Sequence, residues 1–228
     1  MPNEVAGPRD VNGLIQGYHR FRDEDWPKQK EEWETLSKGQ KPRVLIIACS
    51  DSRVDPTQIF DAKPGELFVI RNVANIVPTY EPDGAYHGTS AAIEFAVQAL
   101  EVKHIVVLGH ATCGGIKAFA NKAAPLSSSN FIGKWVSLVA PAEAKAGDSS
   151  APDYLTRMEH AMVSQSMENL LSFPFIKERV EGGRLNIHGA HFGVANGVLL
   201  VRDSETGDFH PAVDQAGRKV LPTAVACD

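Results

Sequence analysis

The chain has 228 residues, enough for one substantial hydrophobic core, and its length fits a single α/β domain with an appendage better than two independent domains. Its 23 basic and 28 acidic side chains give a formal charge of −5 without any dense basic run, which argues against nucleic-acid binding. No stretch approaches the roughly 18 uninterrupted apolar residues of a membrane span, and Met1-Pro2-Asn3-Glu4 lacks the basic-then-apolar order of an export signal. A cytoplasmic protein is therefore expected. Three cysteines cannot form a disulfide framework, and a reducing compartment keeps Cys49 and Cys113 available as thiolates, with Cys227 a bystander.

Residues 1–40 read as an N-terminal helical arm and residues 41–228 as the α/β domain proper. Within the arm, Val11 to Leu36 mixes Tyr18, Phe21, Trp26 and Trp33 with charged residues, an amphipathic helical pattern. Those aromatics need a surface to cover, either the chain's own core or a second subunit, and the pattern does not separate the two. Val44-Leu45-Ile46-Ile47-Ala48 is a short β-branched run ending at Cys49, as expected for a strand buried on both faces of a parallel sheet. A short helix beginning near Pro56 leads through the turn Pro64-Gly65 to a second strand, Glu66 to Ile70, making a βαβ unit.

Thr89 to Leu100 is a strong helix pattern, followed by a third buried strand, His104 to Gly109, with His110 just beyond its carboxyl end. Cys113-Gly114-Gly115 looks like a loop entering a helix, the glycines permitting close backbone approach to an occupant of the site. Helical residues near Phe131 to Val139 precede an Ala, Gly, Ser and Pro-rich segment expected to be an exposed loop. Asp153 to Glu181 reads as one long helix or two, interrupted near Pro174, before a strand beginning at Leu185. Asn196-Gly197 between two apolar runs predicts a hairpin and an antiparallel last strand at the sheet edge. The fold class expected is α/β, a mostly parallel sheet of order 2-1-3-4-5 flanked by helices.

In such a sheet, ligands bind beyond the carboxyl ends of strands at the switch point between the first and third strands. Cys49 and His110 end those two strands, and Cys113 follows in a His-x-x-Cys spacing. Two thiolates and an imidazole suit Zn²⁺, and three protein ligands leave a fourth position for chemistry. A redox pair of cysteines is the alternative, but the chain has no Cys-x-x-Cys and a nearby imidazole favours the metal. His19, His87, His104, His160, His188, His191 and His210 lack comparable spacing and read as structural or surface residues, and His87 with Tyr86 has no motif behind a proton-shuttling role. Asp51 is either a helix cap or a carboxylate able to close the metal site. Arg53 supplies a guanidinium that can hold it back and leave it free to accept a hydrogen bond.

The strings Cys49-Ser50-Asp51-Ser52-Arg53-Val54-Asp55-Pro56, Pro64 to Asn75, and Gly109-His110-Ala111-Thr112-Cys113-Gly114-Gly115 resemble the signatures of β-class carbonic anhydrases, with weaker similarity from Ile187 onward. The resemblance implies one Zn²⁺ per subunit on Cys49, His110 and Cys113, and reversible hydration of CO2 to bicarbonate by zinc-bound hydroxide. It further implies Asp51 and Arg53 as a catalytic dyad, Asp51 as a fourth ligand only in a closed form, and a homodimer or dimer of dimers. Gln40 stands where plant-like (type I) members carry a glutamine, whose amide can bind bicarbonate, and Phe68, Val73, Phe95 and Gly114 match positions around the substrate. The other subtype's inhibitory bicarbonate pocket uses a tryptophan and a tyrosine where this chain has Ile46 and Phe192, leaving only Arg71, so that pocket is expected to be absent. Two thiolates should also make the bound water less acidic than a three-histidine site would, with activity rising towards alkaline pH. Hydrolysis of CS2 or COS by the same site is the nearest alternative reading, and a zinc-stabilised scaffold the more distant one.

Overall fold

The computed structural model describes residues 10–213 apart from residue 84, so Cys227 lies outside the described residues. The chain divides after Gln40 into two compact units. The first contains α1 (Val11–Arg20), a wide π-helical turn (Phe21–Asp25) and α2 (Trp26–Leu36). Asp10 caps α1 through its side chain, which accepts the Gly13 N–H at 2.8 Å. Phe21, Trp26 and Trp33 pack on one another with ring centroids 5.6 to 6.3 Å apart. Val11, Leu14, Ile15 and Tyr18, at the i, i+3, i+4, i+7 spacing of one helix face, remain exposed.

The second unit is built on β1 (Val44–Cys49), α3 (Pro56–Ile59), β2 (Leu67–Asn72), α4 (Gly88–Glu94), β3 (His104–His110), α5 (Gly114–Ala120) and α6 (Phe131–Val136). It continues through α7 (Ala140–Ala146), α8 (Tyr154–Leu170), α9 (Pro174–Glu181), β4 (Asn186–Phe192), β5 (Leu199–Arg202) and β6 (Phe209–Pro211). The sheet runs in the order β2-β1-β3-β4-β5-β6. β2, β1, β3 and β4 are parallel, whereas β5 and β6 are antiparallel additions. β1 is buried from Leu45 to Cys49: Leu45 and Ile47 pack with Ile93 of α4, Val163 of α8 and Ile176 of α9, and Ile46 and Ala48 on the other face with Leu108, Ala190 and Ile59, so its side chains need not alternate between apolar and polar. Gly65 takes φ 87° in the turn before β2, and Gly197 takes φ 67° in the hairpin before β5, the left-handed values that favour glycine.

Three departures from the sequence pattern have physical causes. The edge strand is β6 and not β5: Phe209-His210-Pro211 is too short to show periodicity and ends in a residue suited to sheet edges. Residues 140–146 form a helix where a loop was expected, because Ala142 and Ala146, one turn apart, are buried against α8. The pattern over residues 89–100 is realised as α4 followed by a π-helical turn, Phe95–Ala99. No helix among the described residues is long and apolar enough to cross a membrane.

Helix α8 lies on β3 and β4 at glycines. A Cβ on Gly109 would sit 2.6 Å from a Val163 methyl, and one on Gly189 would sit 2.7 Å from Met167 Sδ. The same helix carries His160, whose ring stacks on Phe209 of β6 at 4.2 Å and meets His191 edge-on at 4.5 Å. Burial, with the His191 ring beside it, pushes His160 down to about 4. Burial likewise holds His104 and His188, 3.2 Å apart across β3 and β4, below their ordinary value. The folded protein therefore binds fewer protons than the unfolded chain between about pH 4 and the ordinary 6.5, and stability is lost as pH falls through that window. His160→Phe, which keeps the stack on Phe209, is expected to make the urea midpoint less sensitive to pH across it. An unchanged slope in that variant would remove His160 as a source.

Candidate metal centre

Cys49 closes β1 and His110 closes β3, and these neighbouring parallel strands bring both side chains to the carboxyl edge of the sheet. Cys113 follows a tight loop in which Thr112 takes φ 58°. The three residues are buried, and their ligand atoms all lie within 4.8 Å of one another. The Cys49 and Cys113 sulfurs are 4.0 Å apart. Two thiolates on a tetrahedral zinc at ~2.3 Å would stand about 3.8 Å apart, so the spacing fits the ion. His110 Nδ1 faces the Ala111 carbonyl at 2.9 Å, an acceptor, which fixes the proton on Nδ1 and leaves a lone pair on Nε2. That Nε2 is buried and has no hydrogen-bond partner among the described residues. An orphaned imidazole nitrogen beside two sulfurs is the donor set a metal would satisfy.

The charges agree. The Cys49 thiol is held well below its ordinary value, first by the Cys113 thiol and then by His110 and the backbone N–H groups of Ala74 and Asp51, against the opposing effect of burial. Cys113 is pushed up, because the Cys49 thiolate and burial both disfavour a second negative charge there. Two buried thiolates this close ionise together only with a cation between them.

The Ala74 N–H reaches Cys49 Sγ at 3.4 Å from a turn in which Ala74 and Asn75 both have positive φ. That strained turn is tied at several points. The Asn72 side chain bridges the N–H and carbonyl of Ile76 at 2.9 and 2.8 Å, Trp135 Nε1 donates to the Val73 carbonyl at 2.8 Å, and Ser166 donates to that of Asn75 at 3.0 Å. Gly115 lets α5 start against it, since a Cβ there would meet Val73 and Ala74 at 2.8 and 3.0 Å. Gly114, in contrast, faces open space.

Asp51 accepts from Arg53 on both oxygens: Oδ1 from Nε at 2.9 Å and from the backbone N–H at 3.0 Å, Oδ2 from a terminal nitrogen at 2.7 Å. The guanidinium also reaches the hydroxyl and the carbonyl of Thr112, each at 3.3 Å. It holds the Asp51 carboxyl well below the usual carboxylate range. Asp51 Oδ2 lies 4.0 Å from His110 Nε2, so the pair sits beside the ligand atoms. Asp51 is not the cap of α3. That role falls to Asp55, whose side chain accepts the N–H groups of Thr57 and Gln58.

Of the other residues singled out from sequence, Val73 packs in the core cluster that contains Cys49 and Cys113. Phe68 and Phe95 pair with each other at 5.9 Å, Phe68 against a different cluster and Phe95 about half exposed. Gln40 is exposed at the last position of the N-terminal unit. His87 is paired with Asp83 at 2.6 Å.

Sequence reasoning missed three contributors. Arg71, read only as the remainder of an absent pocket, donates to the carbonyls of Cys49, Asp51 and Val54 and to Asp55, at 2.7 to 3.3 Å. Nothing in spacing reveals this, which follows from the register that sets Arg71 beside Ala48. Glu159, behind Cys113, was equally unmarked, and its partner His191 was read only as a structural or surface residue. Arg71→Lys keeps the charge but loses the planar fork, so it is expected to destabilise the protein by about 1–3 kcal/mol in urea unfolding. An unchanged unfolding midpoint would mean that the loop carbonyls find other donors.

Residues 44–199, well over half of the chain, match the family described as carbonic anhydrase. Over 196 residues the chain is 37% identical to β carbonic anhydrase 3 of Arabidopsis thaliana, an alignment covering 83% of this chain and 75% of that one. Among solved structures, the β-carbonic anhydrase CcaA superposes with a TM-score of 0.80 at 33% identity, covering 89% of this chain and 92% of that one. A Coccomyxa β-carbonic anhydrase in complex with acetazolamide gives 0.72 at 30% identity, covering 84% and 85%. With the Cys49, His110 and Cys113 cluster at the carboxyl edge of the sheet, these similarities establish that the chain belongs to the β-carbonic anhydrases, a family of lyases whose reaction is the reversible hydration of CO2.

Proposed function

We propose that this protein binds one Zn²⁺ per subunit on Cys49, His110 and Cys113 and hydrates CO2 reversibly, with Asp51 and Arg53 governing the remaining metal position. The observation that carries the reading is the buried, unpartnered His110 Nε2, within 4.8 Å of two sulfurs and 4.0 Å from Asp51 Oδ2. Bound there, zinc would supply a Lewis acid that makes hydroxide available near neutral pH.

The chain's own groups do the rest. Asp51, kept ionised by Arg53, would accept a hydrogen bond from the hydroxide nucleophile and so aim its lone pair at the carbon of CO2, the proton given up in forming that hydroxide passing to solvent. Arg53 occupies both Asp51 oxygens and Thr112, which keeps the carboxylate from closing onto the metal. Val73 gives the apolar wall beside the thiolates, and the open approach at Gly114 admits substrate. The Gln40 amide binds bicarbonate, as in the plant-like subtype. The Phe68–Phe95 pair completes the apolar lining when a second subunit covers the half-exposed Phe95, and the exposed stripe on α1 supports the same homodimer or dimer of dimers. Cytoplasmic residence fits thiols that must stay reduced.

Stopped-flow hydration of CO2 by the zinc-loaded protein, with CS2 and COS as rival substrates, tests the reaction. Turnover of CO2 well above the rivals is expected, and turnover of CS2 or COS alone would replace the assignment. Arg53→Ala should release Asp51 to the metal and lower kcat at least about tenfold, the usual cost of losing a residue that orients a metal's surroundings. Wild-type turnover in that variant would refute the gating role.

A further inference from the structure

Glu159 is a carboxylate in an apolar place. It lies on α8 among Met158, Ala161 and Met162, in the cluster that contains both cysteines, and is 4% exposed. A buried carboxylate is costly unless both of its oxygens are satisfied. Here they are: Oε1 accepts the backbone N–H of Cys113 at 3.0 Å, and Oε2 pairs with His191 Nε2 at 3.1 Å. His191 is 3% exposed and stands beside Gly109 in the register of β3 and β4, one residue before His110. Its ring meets His160 edge-on, and His160 in turn stacks on Phe209.

We infer that Glu159 is a positioning residue for the metal centre, fixing the Cys113 backbone so that its sulfur faces Cys49, with His191 anchoring the carboxylate from behind. The inference rests on the metal site proposed above. Three pins hold the loop between β3 and α5. Ala111 N–H donates to the Phe192 carbonyl at 2.9 Å, Arg53 holds Thr112, and Glu159 holds Cys113. The left-handed Thr112 gives this loop a reason to relax, so each pin matters. Only the third acts on a metal-ligating residue itself. Because α8 is seated on the sheet through Val163 and Met167, the carboxylate is presented from a rigid element.

Two variants separate the acceptor from the bulk. Glu159→Gln keeps an oxygen for the Cys113 N–H, whereas Glu159→Met fills the same space without one. Release of zinc from the loaded protein to excess chelator is expected to stay near the wild-type rate in Glu159→Gln and to rise about ten- to a hundredfold in Glu159→Met. The cobalt-substituted Met variant should also show displaced thiolate-to-metal charge-transfer bands, which a contribution to stability alone would not move. A folded Met variant with wild-type release and spectrum would overturn the inference, as would a Gln variant releasing zinc as fast as Met. Should Glu159→Met not fold, the 15N–1H resonance of Cys113 decides. It should move upfield in Glu159→Gln, where a neutral acceptor replaces the carboxylate, and an unmoved resonance overturns the inference. Metal release is read whatever reaction the protein catalyses, so a failure of CO2 hydration leaves this test intact, and a wild-type protein that holds no zinc would instead refute the site.

Discussion

Two buried sulfurs 4.0 Å apart, with an unpartnered imidazole nitrogen beside them, are the constraint around which the rest is arranged. Both sulfurs can be thiolates only if a cation lies between them, and the chain commits much of its architecture to keeping them together. Parallel pairing of β1 with β3 sets Cys49 and His110 at the same sheet edge, and the buried residues of both strands supply the rigidity. The turn at Val73 to Asn75, in which Ala74 and Asn75 are left-handed, is held by Asn72, Trp135 and Ser166, and from it an N–H is delivered to Cys49 Sγ. Close packing at Gly115 lets the helix after Cys113 start against that turn.

Two arginines divide the work on the loop after Cys49. Arg71 faces the backbone, binding three carbonyls and Asp55, and gives the loop its shape. Arg53 faces the Asp51 carboxylate and Thr112, tying the loop after β1 to the loop after β3. The first arginine is half-buried and the second is open to solvent. Asp51 thus stays ionised and held next to the ligand atoms, the arrangement that gives the proposed gating its physical basis.

The strands around the site were legible because β1 and β3 are continuous apolar runs, and the ligands because sulfur and imidazole at two strand ends are chemically distinctive. Asp51 and Arg53 were legible as neighbours on one short loop, although spacing left open whether Asp51 was a cap. β6 was not legible, being short and defined by what it pairs with. α7 was obscured because it is only seven residues long and runs straight into the Gly, Ser and Pro-rich stretch after Ala146, although its alanines, Glu143 and Lys145 are good helix formers. Arg71, Glu159 and His191 act through contacts between elements far apart in sequence, a Glu on a helix and a His on a strand having no common motif. Such contacts exist only once the register of β2 on β1 and of β4 on β3 is known.

The central claim is that Cys49, His110 and Cys113 together hold a zinc ion with one position left for a light atom. X-ray absorption at the zinc edge of the purified protein tests it most directly. Two sulfurs at about 2.3 Å and two nitrogen or oxygen neighbours at about 2.0–2.2 Å are expected. A shell with four sulfurs, or one without any, would contradict it.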